Sequence, residues 1–99
     1  MKIEKQQENE KMTVKVSGRL DTTTSPELEQ ELINSIDGIK ELILDFGDLD
    51  YISSAGLRVV LAVQKIMNTQ GAMKVVNVSE TIMEIFDITG FTEILTIEQ

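Results

Sequence analysis

Polar and apolar residues alternate along Lys11-Met12-Thr13-Val14-Lys15-Val16 and stop at Ser17-Gly18. A period of two predicts a half-buried strand. Residues 2–8 are read as its hairpin partner, although Ile3 is the one apolar side chain among them. After the polar crossing Arg19-Leu20-Asp21-Thr22-Thr23-Thr24, Ser25-Pro26 reads as an N-cap and first helical residue, since proline lacks only a donor that the first turn leaves unused. Leu28, Leu32 and Ile36 recur at every fourth position and Gly38 follows, which predicts an amphipathic helix and its terminator. Ile39 to Phe46 carries the run Leu42-Ile43-Leu44 between acids, the pattern of a strand buried on both faces.

Gly47 to Ile52 is read as a connection into Ser53-Ser54-Ala55-Gly56-Leu57, and apolar residues then continue to Gln70. A stretch of about 16 residues is too long for an ordinary strand and predicts a helix. On that helix Arg58, Gln64, Lys65 and Asn68 gather into one narrow polar stripe, so most of the circumference is expected to be covered. Gly71 ends it, and Met73 to Val78 reads as another strand. Ser79 then caps a helix with the stripe Ile82, Ile85, Phe86, Gly90 closes it, and Glu93 to Ile97 supplies the last strand. The expected fold class is α/β: an open mixed β-sheet, a leading hairpin followed by parallel βαβ units, with flanking helices, in a single domain over residues 1–99. Crossovers in such a sheet are right-handed, and sites collect where strands end and helices begin. Asp45 to Leu57 is such a place.

Composition narrows the chemistry. The chain has no His and no Cys, which removes the commonest general base near neutral pH, the commonest metal ligand and thiol catalysis. Its 99 residues are 41% hydrophobic and 26% charged, and a chain of this size buries ~60–70% of its surface, enough for one core. No segment approaches the ~20 apolar residues of a membrane span, and the polar start has no targeting core. A cytoplasmic location with no membrane partner is therefore expected. Between Leu20 and Leu57 nine acids face one base, Lys40, so that segment carries the whole formal charge of −8. Such a surface cannot release counterions from phosphates, so no nucleic-acid partner is expected. The ordinary account of such an excess is a solvated helix face; the functional one is a basic protein partner.

Ser53-Ser54-Ala55-Gly56 puts small residues at a helix N-terminus, where free N–H groups favour an anion and a second backbone can approach. The simpler account of the same run is an N-cap followed by tight packing. No P-loop lysine follows the glycine, and a serine nucleophile lacks both a His base and a G-x-S-x-G elbow. Asp45, Asp48 and Asp50 are only a weak signal for a hard cation. A phospho-accepting receiver is disfavoured because no acidic pair follows the first strand. These readings leave a binding protein, not an enzyme, with no cofactor or metal.

The stretch from Asp48-Leu49-Asp50-Tyr51-Ile52-Ser53-Ser54-Ala55-Gly56-Leu57 through Arg58-Val59-Val60-Leu61, preceded by Gly18-Arg19-Leu20-Asp21 and a Thr-rich lead into Pro26, resembles the anti-sigma factor antagonists of the STAS domain family. The resemblance spans nearly the whole chain. It implies a bacterial cytoplasmic protein that binds an anti-sigma factor, itself an ATP-dependent serine kinase, and so releases a sigma factor. It implies that the kinase phosphorylates a serine at the start of the second helix, which abolishes binding, and that a PP2C-like serine phosphatase restores it. By position the phosphorylated serine falls on Ser54, with Ser53 as rival acceptor. Ser53 stands where members often have Asp, Ala55 where they often have Ser or Thr, and Arg58 where they often have a small residue. The implied partner surface is Asp21, Thr22, Ser53, Ser54, Ala55, Gly56, Leu57 and Arg58. The alternative is an unphosphorylated STAS interaction or scaffold module within a signalling or transport assembly.

Overall fold

The alternating segment near the N-terminus does form a hairpin, β1 (Lys2–Glu8) and β2 (Lys11–Leu20), in a computed structural model that describes residues 1–99. Asn9 supplies the left-handed turn residue at φ 57, a conformation Asn tolerates better than most side chains. Then follow α1 (Ser25–Ser35), β3 (Glu41–Asp45), β4 (Leu49–Ile52), α2 (Ser54–Gln70), β5 (Ala72–Val76) and α3 (Glu80–Thr89). A 3₁₀ turn (Phe91–Glu93) and β6 (Ile97–Glu98) end the chain. The sheet order is β1-β2-β3-β5-β6, antiparallel between β1 and β2 and parallel thereafter, as expected for a hairpin followed by helical crossovers.

The segment Gly47 to Ile52, a connection by its sequence pattern, contains the strand β4. Its burial runs buried, exposed, exposed, buried, which hides the period of two. It forms because β2 outruns β3: Lys11–Lys15 pair with β3, and Gly18–Leu20, past an irregularity at Gly18/Arg19, are left to pair in parallel with β4.

Alternate residues of the strands (Val14 and Val16, Leu42 and Leu44, Met73 and Val75) join Leu28 and Leu32 of α1, Val60, Val63 and Met67 of α2, and Ile82 and Phe86 of α3 in one cluster. The helices therefore cover one face of the sheet. The other face is polar, with Glu4, Lys15 and Asp45 in one cross-strand row. The expectation that β3 is buried on both faces needs a different cause: Ile43 is 8% exposed with no helix above it. Its neighbours across the sheet are Thr13 and Lys74, and an aliphatic lysine stem covers apolar surface while its charge stays in water.

Four boundaries differ from the sequence reading. Thr24, not Ser25, occupies the N-cap position of α1 and its side chain does not cap; Ser25 is buried in the first turn and its Oγ donates to the Asp21 carbonyl at 2.5 Å. β3 is Glu41–Asp45, shorter than Ile39 to Phe46, and β5 stops at Val76 because Asn77 turns the chain at φ 58. Gln64 leaves the polar stripe of α2 for the interior, its Nε2 donating to Asn68 Oδ1 at 2.7 Å. The last strand begins later than Glu93, because Gly90 in the left-handed region admits a 3₁₀ turn that stacks Phe91 on Phe86, ring centroids 6.2 Å apart.

The far end of α2 is tied to the loop between α1 and β3. Gln70 Nε2 donates to the carbonyls of Ile36 and Ile39 at 2.7 and 2.8 Å. Gly71 then passes so close to Lys40 that a Cβ would lie 2.0 Å from the Lys40 carbonyl oxygen, which accepts from Ala72 N at 2.8 Å. Gly71→Ala must displace backbone there, and is expected to lower unfolding free energy by about 1–3 kcal/mol in a urea titration.

Candidate functional site

The ends of β2 and β4 lie side by side, Leu20 opposite Ile52, and α2 starts immediately beyond them. Ser53 N donates to the Leu20 carbonyl at 2.8 Å. Ser53 is extended, at φ −95 and ψ 176, and its Oγ accepts from Gly56 N at 3.3 Å, which makes it the N-cap of α2. A Cβ on Gly56 would sit 2.8 Å from Leu20 Cγ, 2.9 Å from Ile52 Cγ1 and 3.0 Å from the Leu20 carbonyl oxygen. Glycine there lets the first turn of α2 rest directly on both strand ends.

Two small residues of the run are thus accounted for by architecture, Ser53 by capping and Gly56 by close approach. Gly56 and Leu57 are buried, so they shape the site and offer no surface. Ser54 is different. It is the first residue of α2 and exposed, its hydroxyl makes no hydrogen bond within the protein, and no acid occupies the first turn of the helix. Ala55 beside it is half-buried and Arg58, one turn on, is exposed.

The β2–α1 turn forms the neighbouring wall. Asp21 Oδ1 accepts from the N–H groups of Thr23 and Thr24, both at 3.0 Å. Thr24 Oγ1 in return accepts from Asp21 N at 2.9 Å and donates to the Arg19 carbonyl at 2.7 Å. This reciprocal arrangement, a capping box in form, fixes the turn ahead of α1, whose first N–H groups are met instead by the carbonyls of Asp21 (from Ser25) and Thr24 (from Glu27). The Thr24 N–H, assisted by its hydroxyl, by Thr23 N–H and by the Arg19 charge, holds the Asp21 carboxyl below its ordinary value of 3.8. The turn leaves Thr22 exposed. Between the two walls runs a groove of about 300 Å³, lined by Thr22, Ser25, Pro26 and Glu29 on one side and Ala55, Arg58 and Val59 on the other.

Arg19 stacks on Tyr51 with its guanidinium carbon 4.4 Å from the ring centroid. Sequence reasoning missed both residues, because their juxtaposition depends on β4. The aspartates after β3 do not converge: Asp45 Oδ1 accepts from Gly47 N and Asn77 Nδ2, and Asp48 pairs with Lys15 Nζ at 3.0 Å, which raises the Lys15 pKa. No group of three acids is placed to hold a metal ion.

Residues 2–99 match the family model of the STAS domain. The putative anti-sigma factor antagonist BtrV of Bordetella bronchiseptica is 39% identical over 84 residues, 83% of this chain and 72% of that protein. The anti-sigma-B factor antagonist of Bacillus subtilis is 33% identical over 94 residues, 94% of this chain and 85% of its own length. Among solved structures, the anti-sigma factor antagonist SpoIIAA in its unphosphorylated form superposes with a TM-score of 0.77 at 17% identity, covering 99% of this chain and 87% of that one. The phosphorylated form of SpoIIAA, from Bacillus, gives 0.77 at 18%, covering 99% and 92%. At these identities the two structures establish the shared fold.

The depressed pKa of Asp21 carries a sign. The folded state favours the charged carboxylate, so its contribution is complete above the ordinary value of 3.8 and fades as pH falls through the lower folded value. The urea midpoint of Asp21→Ala is expected below that of the parent at pH 7, with the gap narrowing under about pH 4. Asp21→Asn, which keeps an acceptor oxygen, should fall between the two.

Proposed function

This chain belongs to the STAS domain family, and from that premise we propose that it is an anti-sigma factor antagonist. It is a binding protein and contributes no catalytic group of its own. In this reading the partner is an anti-sigma factor that is also a serine kinase, and it docks around the groove on the exposed Thr22, Ser54 and Arg58 and the half-buried Ala55. Docking releases a sigma factor in the cytoplasm; no helix of the chain is long and apolar enough to cross a membrane. The acidic stretch from Leu20 to Leu57 suits a basic patch on that partner.

The kinase transfers the γ-phosphoryl group of ATP to Ser54 Oγ. The new Oγ–P bond replaces the bond to the leaving ADP oxygen, and the hydroxyl proton departs to a base of the kinase. A PP2C-like serine phosphatase then hydrolyses the ester and returns the free hydroxyl. The observation that carries the choice of Ser54 is its exposed, unpartnered hydroxyl, set against the Ser53 oxygen that is engaged with Gly56 N. The same contact accounts for serine at position 53. A serine oxygen accepts the capping hydrogen bond as an aspartate oxygen would, so the fold tolerates the exchange.

Magnitudes decide how the modification acts. A phosphate adds about −1.5 to −2 charges, and at a helix N-terminus it gains about 0.3–1 kcal/mol. An unmatched charge closed into an interface costs about 2–5 kcal/mol, and about 2.7 kcal/mol is already a hundredfold in affinity. The interface effect is the larger and has the opposite sign, so phosphorylation blocks association and leaves the domain folded.

Incubation with the cognate kinase and ATP should add one phosphate, located on Ser54 by mass spectrometry. Addition to neither Ser54 nor Ser53 would favour the scaffold reading. By calorimetry Ser54→Ala should bind the kinase like the parent, and Ser54→Asp at least tenfold more weakly, with a thermal midpoint close to that of the parent. Equal binding by the two variants would refute electrostatic blocking at this position.

A further inference from the structure

We propose that Arg58 is the intramolecular receptor of the Ser54 phosphate, a clamp one helical turn away that leaves the α1–α2 groove when Ser54 is modified. The inference rests on the phosphorylation of Ser54 proposed above and adds how the modified state is read.

Ser54 and Arg58 are four residues apart in the uninterrupted helix α2, and both are exposed. Side chains at that spacing stand one above the other, and an acidic group N-terminal to a basic one is the favourable order. Other cations near this end of the molecule are already engaged. Arg19 lies over Tyr51 and 3.8 Å from Asp21, and Lys15 is bound to Asp48 at 3.0 Å. Arg58 has no carboxylate within 4.0 Å. The next cation along α2 is Lys65, about three turns from Ser54 and out of reach. The planar guanidinium offers two parallel N–H donors to phosphate oxygens, a geometry that lysine does not reproduce.

In the unmodified protein Arg58 shares the groove with Thr22, Ser25, Pro26 and Glu29. Drawing it toward a phosphate on Ser54 takes the one basic side chain out of that lining and leaves Glu29 behind. Phosphorylation therefore changes the docking surface twice, by the charge it adds at Ser54 and by the charge it withdraws from the groove.

The test installs phosphoserine at position 54 of the full chain by peptide ligation, without a kinase, and follows the phosphate by ³¹P NMR against pH. Its second ionisation, ordinarily near pH 6, should lie about 0.5 to 1 lower in the parent than in Arg58→Gln, with Arg58→Lys recovering part of the difference. The helix terminus acts equally in all three proteins, and so does Glu29, so the difference isolates Arg58. The same ionisation in the parent and in Arg58→Gln would overturn the clamp. Because the phosphate is placed chemically, that outcome is distinct from failure of the kinase to modify Ser54, which would overturn the reading beneath it.

Discussion

The first turn of α2 rests on Leu20 and Ile52 at the ends of β2 and β4, and contributes no side chain of its own to that contact. Gly56 makes this possible, because any Cβ there would press on Leu20 and Ile52 within 3.0 Å. The Leu20 carbonyl, in the same contact, accepts from Ser53 N. That bond and the Ser53 cap fix where the helix begins. A helix pinned so closely has its first outward-facing position set by geometry, and that position is Ser54. With a bulkier residue at 56 the helix would ride higher and rotate, and the hydroxyl, the groove and the relation of Arg58 to both would shift together.

The one-sided sheet gives this contact its rigidity. All three helices bury their apolar stripes against the same face, so the core is a single layer of aliphatic side chains with Phe46 and Phe86 fully enclosed. Close-packed interiors resist small displacements. At its far end α2 is held again, by Gln70 on two carbonyls and by the near contact of Gly71 with Lys40. The helix is thus clamped at both ends of a rigid slab, and the acidic α1 side and the N-terminal mouth of α2 are presented on it.

Much of this was legible in the sequence. Periodicity in Leu28, Leu32 and Ile36, the caps Ser79 and Gly90 and the alternation in β2 are local signals, and the chain obeys them because tertiary packing agrees. β4 was not legible, since a four-residue edge with acids beside it follows from the surplus length of β2 and not from its own pattern. Gln64 illustrates the same limit: its place on the helical wheel is polar, yet neighbouring packing encloses it and leaves Oε1 without a partner. At the site, family position favours Ser54 as acceptor but leaves Ser53 as a rival. The direction of each hydroxyl, one toward Gly56 N and one free, adds the physical distinction. The stack of Arg19 on Tyr51 and the contribution of Glu29 to the groove arise from long-range juxtaposition and had no local signature.

The Ser53 and Gly56 contacts hold the helix in place through backbone atoms and a cap, while Thr22, Ala55 and Arg58 lie on the groove walls outside the aliphatic core. In the proposed docking, framework and recognition are therefore carried by different residues. A duplicated copy of such a domain can exchange the groove letters freely and acquire a private partner, because drift at those positions leaves the scaffold untouched. Under that docking, several domains of this build can share one cell without cross-talk, each set apart by a few groove side chains.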